Sequence, residues 1–229
     1  MPDPQREESH GFSRVEDVNV VPDRDEESNE DGESDNQQPR LAELREVETV
    51  YGPAEDSRLL AEAVLEHVSA EDAVLDVGTG SGYVGVRLQS EAGVFVVGSD
   101  LNPDACRQAA DSGLRVVRAD MFEPFRDGSF DVVCCNPPYL PTPPEREWDD
   151  PMERALSGGP DGRAVVDPFL AGVGRVLKPD GEGFLLISTL TGPDEVRETA
   201  TAHGLETSVV AEESHPFERL LVLRLQQRG

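Results

Sequence analysis

The sequence predicts an α/β fold in which helices cover both faces of a seven-stranded, mostly parallel sheet with one antiparallel strand near the C-terminus. Near-continuous apolar runs indicate strands buried on both faces, and segments with helical spacing of apolar residues separate most of them. This alternation requires a parallel sheet covered by helices. The predicted strands span residues 73–78, 94–100, 114–120, 130–136, 183–189, 206–214 and 215–225.

The predicted helices occupy segments around and between these strands. Asp56 or Ser57 stands near the start of the second helix, where an N-cap belongs. Only a few residues separate the last two strands, which permits a hairpin, so the sheet is predicted to close with one antiparallel strand. The predicted helices span residues 41–48, 54–68, 82–90, 103–112, 163–177 and 193–203.

The first 39 residues differ in composition from the rest of the chain. They contain 13 acidic and three basic residues and few large apolar side chains. Such a segment cannot bury enough apolar surface to offset the entropy lost on ordering. We therefore predict a disordered acidic tail over residues 1–39 and one folded domain over residues 40–229.

The net charge of −27 is extreme for 229 residues, and Lys178 is the only lysine among 20 basic residues. Acid-rich, lysine-poor surfaces stay hydrated where salt screens the charges, so we expect a high-salt cytoplasm, as in a halophilic archaeon. The chain lacks the basic stripe that displaces phosphate counterions. Direct nucleic-acid binding is therefore not expected.

Cysteine spacing and hydropathy predict a soluble cytoplasmic protein without a metal site. Cys106, Cys134 and Cys135 form no CxxC pair, and the adjacent two lie in an apolar predicted strand. This pattern favours buried thiols in a reducing compartment over disulfides or zinc ligands. No apolar run approaches the ~20 residues of a membrane span, and no signal-peptide core is found.

A glycine-rich turn follows the first predicted strand, at residues 76–82 (DVGTGSG). Gly78, Gly80 and Gly82 let the backbone approach a ligand closely, and a predicted helix then presents its N-terminus. Nicotinamide and flavin enzymes use such turns too. Asp76, which stands just before the three glycines, would repel a pyrophosphate but suits a cationic sulfonium amino acid. The turn therefore favours S-adenosylmethionine, with S-adenosylhomocysteine as product.

Acidic residues also follow the next two strands at the same predicted edge. Asp100 is placed to accept hydrogen bonds from both ribose hydroxyls, with Leu101 beside it. Asp120 can accept from the adenine amino group, while the backbone N–H of Met121 meets a ring nitrogen. Each acid alone could be a strand-end cap. Acids at three successive strand ends predict a cofactor site in a Rossmann-like class I methyltransferase domain.

The fourth predicted strand runs into Asn136-Pro137-Pro138-Tyr139. The prolines fix φ and donate no N–H, so the loop is rigid and rich in carbonyl acceptors. The Asn136 side-chain oxygen and the Pro137 carbonyl can hold the two hydrogens of an NH₂ group, while Tyr139 offers its flat face. Both contacts strengthen as the nitrogen turns its lone pair towards the methyl group. This loop, the acceptor clamp, predicts methyl transfer to a planar nitrogen without a general base.

These motifs together resemble the HemK-related methyltransferases. The resemblance covers about residues 45–225 and includes PAEDS (53–57), the loop SGGPDGR (157–163) and the terminal ERLLVLRL (218–225). It is nearest to the short archaeal and eukaryotic branch, which methylates the glutamine of the Gly-Gly-Gln motif in class I translation termination factors. The release factor is therefore the expected protein substrate.

The resemblance also implies roles for individual residues and a partner. Ser57, where Thr is commoner, should contact the methionine part of the cofactor together with Asp76 and Gly78. Asn136 should touch both cofactor and substrate. Members of this branch need a small zinc-binding activator subunit that pairs along a sheet edge. The exposed edge here is predicted to be strand 114–119, which has an unusually apolar face, although the tail or salt-bridging arginines could cover it instead.

Three other functions remain open at the sequence level. An exocyclic adenine amine presents the same planar NH₂, so N6-adenine methylation of DNA or RNA is one of them. Protein lysine methylation is another, and a non-enzymatic scaffold in a translation complex is the third. Acidic residues beside the clamp could attract a basic peptide: Glu145, Glu147, Asp149 and Asp150.

Overall fold

The computed structural model describes residues 55–142 and 157–229. The predicted acidic tail, the predicted helix 41–48 and the acidic residues 145–150 lie outside the described residues. The helices are α1 (Glu55–Leu65), α2 (Tyr83–Ala92), α3 (Pro103–Asp111), α4 (Val166–Val176) and α5 (Pro193–Ala202). The strands are β1 (Ala73–Val77), β2 (Phe95–Asp100), β3 (Arg115–Arg118), β4 (Phe130–Cys135), β5 (Leu177–Ser188), β6 (Leu205–Ser214) and β7 (Arg219–Gln227).

The seven strands form a single sheet in the order β3-β2-β1-β4-β5-β7-β6. Strands β1 to β5 pair in parallel, and β7 runs antiparallel to both β5 and β6. This confirms the predicted sheet with its one antiparallel strand near the C-terminus. It also confirms β3 as an edge strand.

Helices cover both faces of the sheet because its strands bury apolar side chains on both sides. Leu75 of β1 packs in a cluster with residues of α4 and α5, such as Phe169 and Val196. Its neighbour Val74 points to the other face and packs with residues of α1 and α2, such as Leu60 and Leu88. Adjacent residues of one strand thus contribute to the two cores of a three-layer α/β fold.

Several predicted boundaries were wrong. Asp56 and Ser57 lie inside α1 and not at an N-cap, and α1 ends at Leu65 instead of residue 68. Helix α4 starts at Val166 instead of residue 163, and β7 spans Arg219–Gln227 instead of residues 215–225. Strand β5 starts at Leu177, directly after α4 and six residues before the predicted start. Leu177 pairs with Phe130 before a register shift, and Lys178 contacts Asp131 at 2.7 Å.

The cysteine prediction holds for the two adjacent thiols. Cys134 and Cys135 are free and fully buried in β4, while Cys106 is partly exposed. The described parts of the chain contain no cluster of three potential metal ligands. In the same ranges, no helix is long and apolar enough to cross a membrane.

Candidate active site

The carboxyl ends of four neighbouring parallel strands bring most of the predicted site residues together. Strands β3, β2, β1 and β4 are adjacent in the sheet, and each ends at the same edge. The glycine turn follows β1, Asp100 ends β2, Asp120 follows β3 and Asn136 follows β4. Open α/β sheets bind their ligands at this edge. We call this end of the strands the carboxyl edge, as distinct from the two outer strands β3 and β6.

The three glycines of the turn have different roles. Gly78 and Gly80 have positive φ, +68° and +55°, and a Cβ on Gly78 would meet no atom within 4 Å. Their open side therefore suits a ligand lying against the backbone. A Cβ on Gly82 would instead come within 3.1 Å of Ala109 and Leu114. The structure thus places Gly82 in close packing against Ala109 and Leu114, and its contact with the cofactor stays a prediction.

Asp76 lies beneath the turn and fixes its shape. Its Oδ2 accepts hydrogen bonds from Thr79 Oγ1 at 2.7 Å and from the backbone N–H of Gly85 at 3.2 Å. The Cys134 thiol contacts Oδ1 at 3.7 Å. Burial raises the pKa of Asp76 to about 6, although these donors partly offset the effect. Contact of Asp76 with a cationic ligand stays a prediction.

Asp100 connects the glycine turn to the end of β2. Its Oδ2 accepts from the backbone N–H of Gly80 at 3.0 Å, and its Oδ1 accepts from the N–H of Asn102 at 2.8 Å. These two bonds fix the plane of the carboxylate. Each oxygen has a second lone pair, so the carboxylate is oriented to accept two further hydrogen bonds from a diol.

A depression of about 570 Å³ lies at the carboxyl edge, between the ends of β2 and β3. Leu101 and Asp120, both predicted cofactor contacts, line it together. Met121 follows with φ +47° and is the one non-glycine residue with positive φ in the described ranges. A bulky side chain rarely adopts this backbone, and such strain is concentrated at functional sites. The depression is therefore a candidate adenine site.

Asn136 is held through one end of its side-chain amide. Its Nδ2 donates to Ser57 Oγ of α1 at 3.1 Å. Its Oδ1 is buried and has no hydrogen-bond partner among the described residues. An unpaired buried acceptor costs about 1–3 kcal/mol, which an N–H donor from a ligand would recover. Asn136 is thus arranged to receive the N–H of a bound group.

The first turn of α1 also contacts Tyr139. The Tyr139 hydroxyl lies 3.4 Å from Asp56 Oδ2, and Asp56 is buried. Asp56 and Ser57 therefore hold both ends of the acceptor clamp from a single helical turn. The sequence prediction missed this role of Asp56. The PAEDS motif contained the residue, but no local pattern indicates a partner 83 positions away.

The loop 157–163 supports the clamp from behind. The Gly158 N–H donates to the Leu140 carbonyl at 2.9 Å, and the Thr142 N–H donates to the Gly159 carbonyl at 2.7 Å. A Cβ on Gly162 would lie only 2.5 Å from the Tyr139 carbonyl oxygen. Pro137 is buried and Pro138 partly buried. The clamp is therefore backed by backbone contacts as well as stiffened by proline.

We predict that Gly162→Ala slows the expected methyl transfer by roughly tenfold or more, because the new Cβ pushes the clamp out of position. Gly204→Ala is the matched control. Its φ of +75° is close to the +78° of Gly162, but its Cβ would meet nothing within 4 Å. Both variants carry the same backbone strain, and initial rates compare them. Equal rates in the two variants would contradict the clamp contact.

Comparisons with known proteins assign the family. Residues 74–159 match a family model described as a methyltransferase domain. A Methanocaldococcus jannaschii protein named for protein N5-glutamine methylation is 34% identical over 180 residues, which are 76% of this chain and 90% of that protein. The mouse methyltransferase HEMK2 is 33% identical over 193 residues, which are 78% of this chain and 90% of HEMK2.

A solved structure agrees with these relatives. It is the E. cuniculi Mtq2-Trm112 complex, responsible for methylation of the eRF1 translation termination factor. Its matching chain is 30% identical with a TM-score of 0.65, and the match covers 79% of this chain and 99% of that one. The sheet order, the carboxyl-edge site and these relatives lead to one assignment. The chain belongs to the HemK2/Mtq2-type N5-glutamine methyltransferases and has their Rossmann-like methyltransferase fold.

Proposed function

We propose that this chain methylates the side-chain amide nitrogen of the glutamine in the Gly-Gly-Gln motif of a class I translation termination factor, in the cytoplasm. The unpaired, buried Oδ1 of Asn136 carries the proposal. The amide nitrogen of the same side chain is fixed by Ser57, and the loop 157–163 bonds to the chain at Leu140 and Thr142, just after the clamp. A primary amide offers two N–H donors, one for this oxygen and one that the Pro137 carbonyl can accept.

The residues at the carboxyl edge fit S-adenosylmethionine as the donor. The open side of Gly78 and Gly80 suits its methionine part, Asp100 its ribose, and the depression beside Leu101 and Asp120 its adenine. When bound, this cofactor supplies an electrophilic methyl group on a sulfonium centre. Asp76 contributes negative charge below the turn, where the positively charged amino group would lie.

The clamp residues act on the amide nitrogen in three ways. The Asn136 Oδ1 and the Pro137 carbonyl each accept one N–H, which fixes the nitrogen. The Tyr139 ring covers the amide plane and excludes water. Because the N–H bonds gain acidity as the nitrogen becomes tetrahedral, both hydrogen bonds strengthen in the transition state. The surplus proton of the cationic product passes to solvent, so the clamp needs no general base.

We further propose that a small activator subunit pairs with the β3 edge. Strand β3 is four residues long and lies at the end of the sheet. Val116 packs against one core cluster, whereas Val117, on the opposite face, belongs to neither. An exposed strand edge with an apolar side chain suits strand addition. The arginines at its ends contact their own neighbours, Arg118 the Leu101 carbonyl and Arg115 the Phe95 ring.

We predict that Asn136→Ala lowers the methylation rate by roughly 100-fold or more while the cofactor dissociation constant changes only a few-fold, because the lost contact is strongest in the transition state. Mass spectrometry of the termination factor measures the methyl group on the Gly-Gly-Gln peptide, and calorimetry measures cofactor binding. Unmodified glutamine after incubation with the wild-type protein in complex with its activator subunit would refute the proposed substrate. A methyl group on adenine or lysine instead would identify the alternative.

Cofactor affinity should rise with pH through the pKa of Asp76, about 6. The ionised carboxylate favours a nearby cation, so binding is strongest when Asp76 is deprotonated. About one-tenth of Asp76 is ionised one pH unit below its pKa, so affinity there should be up to roughly tenfold weaker than at neutral pH. Calorimetry across this range tests it. Asp76→Asn should remove the pH dependence, and a flat wild-type profile would contradict it.

Val117→Asp should abolish binding of the activator subunit, because a carboxylate cannot be buried against an apolar partner without a large desolvation cost. Val209→Asp is the matched control, since Val209 is an exposed valine of β6 at the other edge of the sheet. Size-exclusion chromatography of co-expressed proteins measures complex formation. A wild-type chain that is monodisperse and fully active by itself would contradict the partner proposal.

A further inference from the structure

Exposed apolar side chains are concentrated at the carboxyl edge. Among the residues that the structure describes, six large apolar side chains are exposed: Phe95, Leu101, Leu140, Leu190, Val209 and Phe217. Leu101 follows β2, Leu140 follows β4 and Leu190 follows β5. Phe217 lies in the β6–β7 turn and is 95% exposed. Single exposed apolar residues are ordinary, but a group of them beside a reacting site indicates contact with a ligand or partner.

The β6–β7 turn lies at this edge because β7 runs antiparallel to β5. Leu220, near the start of β7, pairs with Ser188 at the end of β5. The Ser188 hydroxyl donates to Glu218, and the Arg219 N–H donates to Thr189 Oγ1 at 3.0 Å. The turn that carries Phe217 is therefore fixed to the 3₁₀ turn Thr189–Thr191, which carries Leu190.

The same 3₁₀ turn is connected to the acceptor clamp. Arg163 Nη1 donates to the Thr191 carbonyl at 2.9 Å. A Cβ on Gly162 would touch both the Tyr139 carbonyl oxygen, at 2.5 Å, and Thr191 Cγ2, at 3.0 Å. Neighbouring strands lie about 4.8 Å apart, so the start of β7, two strands from β4, is roughly 10 Å from the clamp. Phe217, Leu190 and Leu140 thus lie on segments that are bonded to one another beside the clamp.

We propose that Phe217, Leu190 and Leu140 form the docking rim for the protein substrate, and that Phe217 is its main specificity-determining residue. This rests on the proposed function, since it requires a glutamine held in the clamp. The glutamine amide nitrogen reaches roughly 5 Å from its Cα, so a clamped side chain brings the substrate backbone onto the rim. An aromatic side chain that becomes buried on binding supplies a large part of the contact energy. The occupant is a folded protein with an apolar surface beside its acceptor loop.

The test compares an intact termination factor with a short peptide that carries the same glutamine but is too short to reach Phe217. For Phe217→Ser, kcat/KM with the intact factor should fall roughly tenfold, through a higher KM. The kcat, the cofactor affinity and the rate with the peptide should stay unchanged. Val209→Ser is the control, since it removes another exposed apolar side chain that lies within β6, five residues from the strand's end at the turn.

Each contrary result has a separate meaning. If the wild-type protein methylates the factor and Phe217→Ser has the same KM, the docking rim is refuted and the proposed function stands. If the wild-type protein in complex with its activator subunit does not methylate the factor, the proposed function fails. An equal loss with factor and peptide would overturn the rim in favour of an effect on the clamp. If Phe217→Ser no longer binds the activator subunit, the docking rim is refuted and Phe217 belongs to the activator interface. If the variant loses self-association instead, Phe217 belongs to an interface between two copies of the chain.

Discussion

The active site depends on how the side-chain amide of Asn136 is bonded. Its nitrogen is held by Ser57, so its oxygen is turned away from that contact and left buried without a partner among the described residues. A protein tolerates an unpaired buried acceptor when its free-energy cost is small beside the total stability of the fold. A ligand that donates a hydrogen bond can then offset that cost. The requirement for an N–H donor is thereby built into the folded state.

The surroundings of this amide come from distant parts of the chain. Helix α1 supplies Ser57 and Asp56, β4 supplies the clamp, and the loop 157–163 packs behind it. On the cofactor side, Asp100 accepts from the backbone N–H of Gly80 in the glycine turn, and Asp76 accepts from the Thr79 hydroxyl and from the backbone N–H of Gly85 in α2. Preorganised groups of this kind need little rearrangement during the reaction, which is a main source of catalytic rate.

The spacing of apolar residues and the positions of the glycines predicted the sheet, its edge strand and the residues at the carboxyl edge. These features were predictable because strand burial and glycine turns are local properties. Contacts between distant segments were not predictable in this way. The roles of Asp56 and Gly162 depend on the fold bringing α1 and the loop 157–163 to Tyr139. The packing of Gly82 against Ala109 and Leu114 was not predictable either, since a glycine motif does not reveal whether a missing side chain makes room for a ligand or for a neighbouring element. The acidic tail and the high-salt setting stay predictions.

The burial of Cys135, immediately before Asn136, has a chemical consequence. Sulfur is a softer nucleophile than an amide nitrogen, and a thiolate would compete for an electrophilic methyl group. Burial, with Asp76 and Asp100 nearby, raises the pKa of the Cys135 thiol well above its usual range. The thiol therefore stays protonated and unreactive within β4. A sulfur nucleophile is thus kept in the core, directly before the residue that is proposed to hold the methyl acceptor.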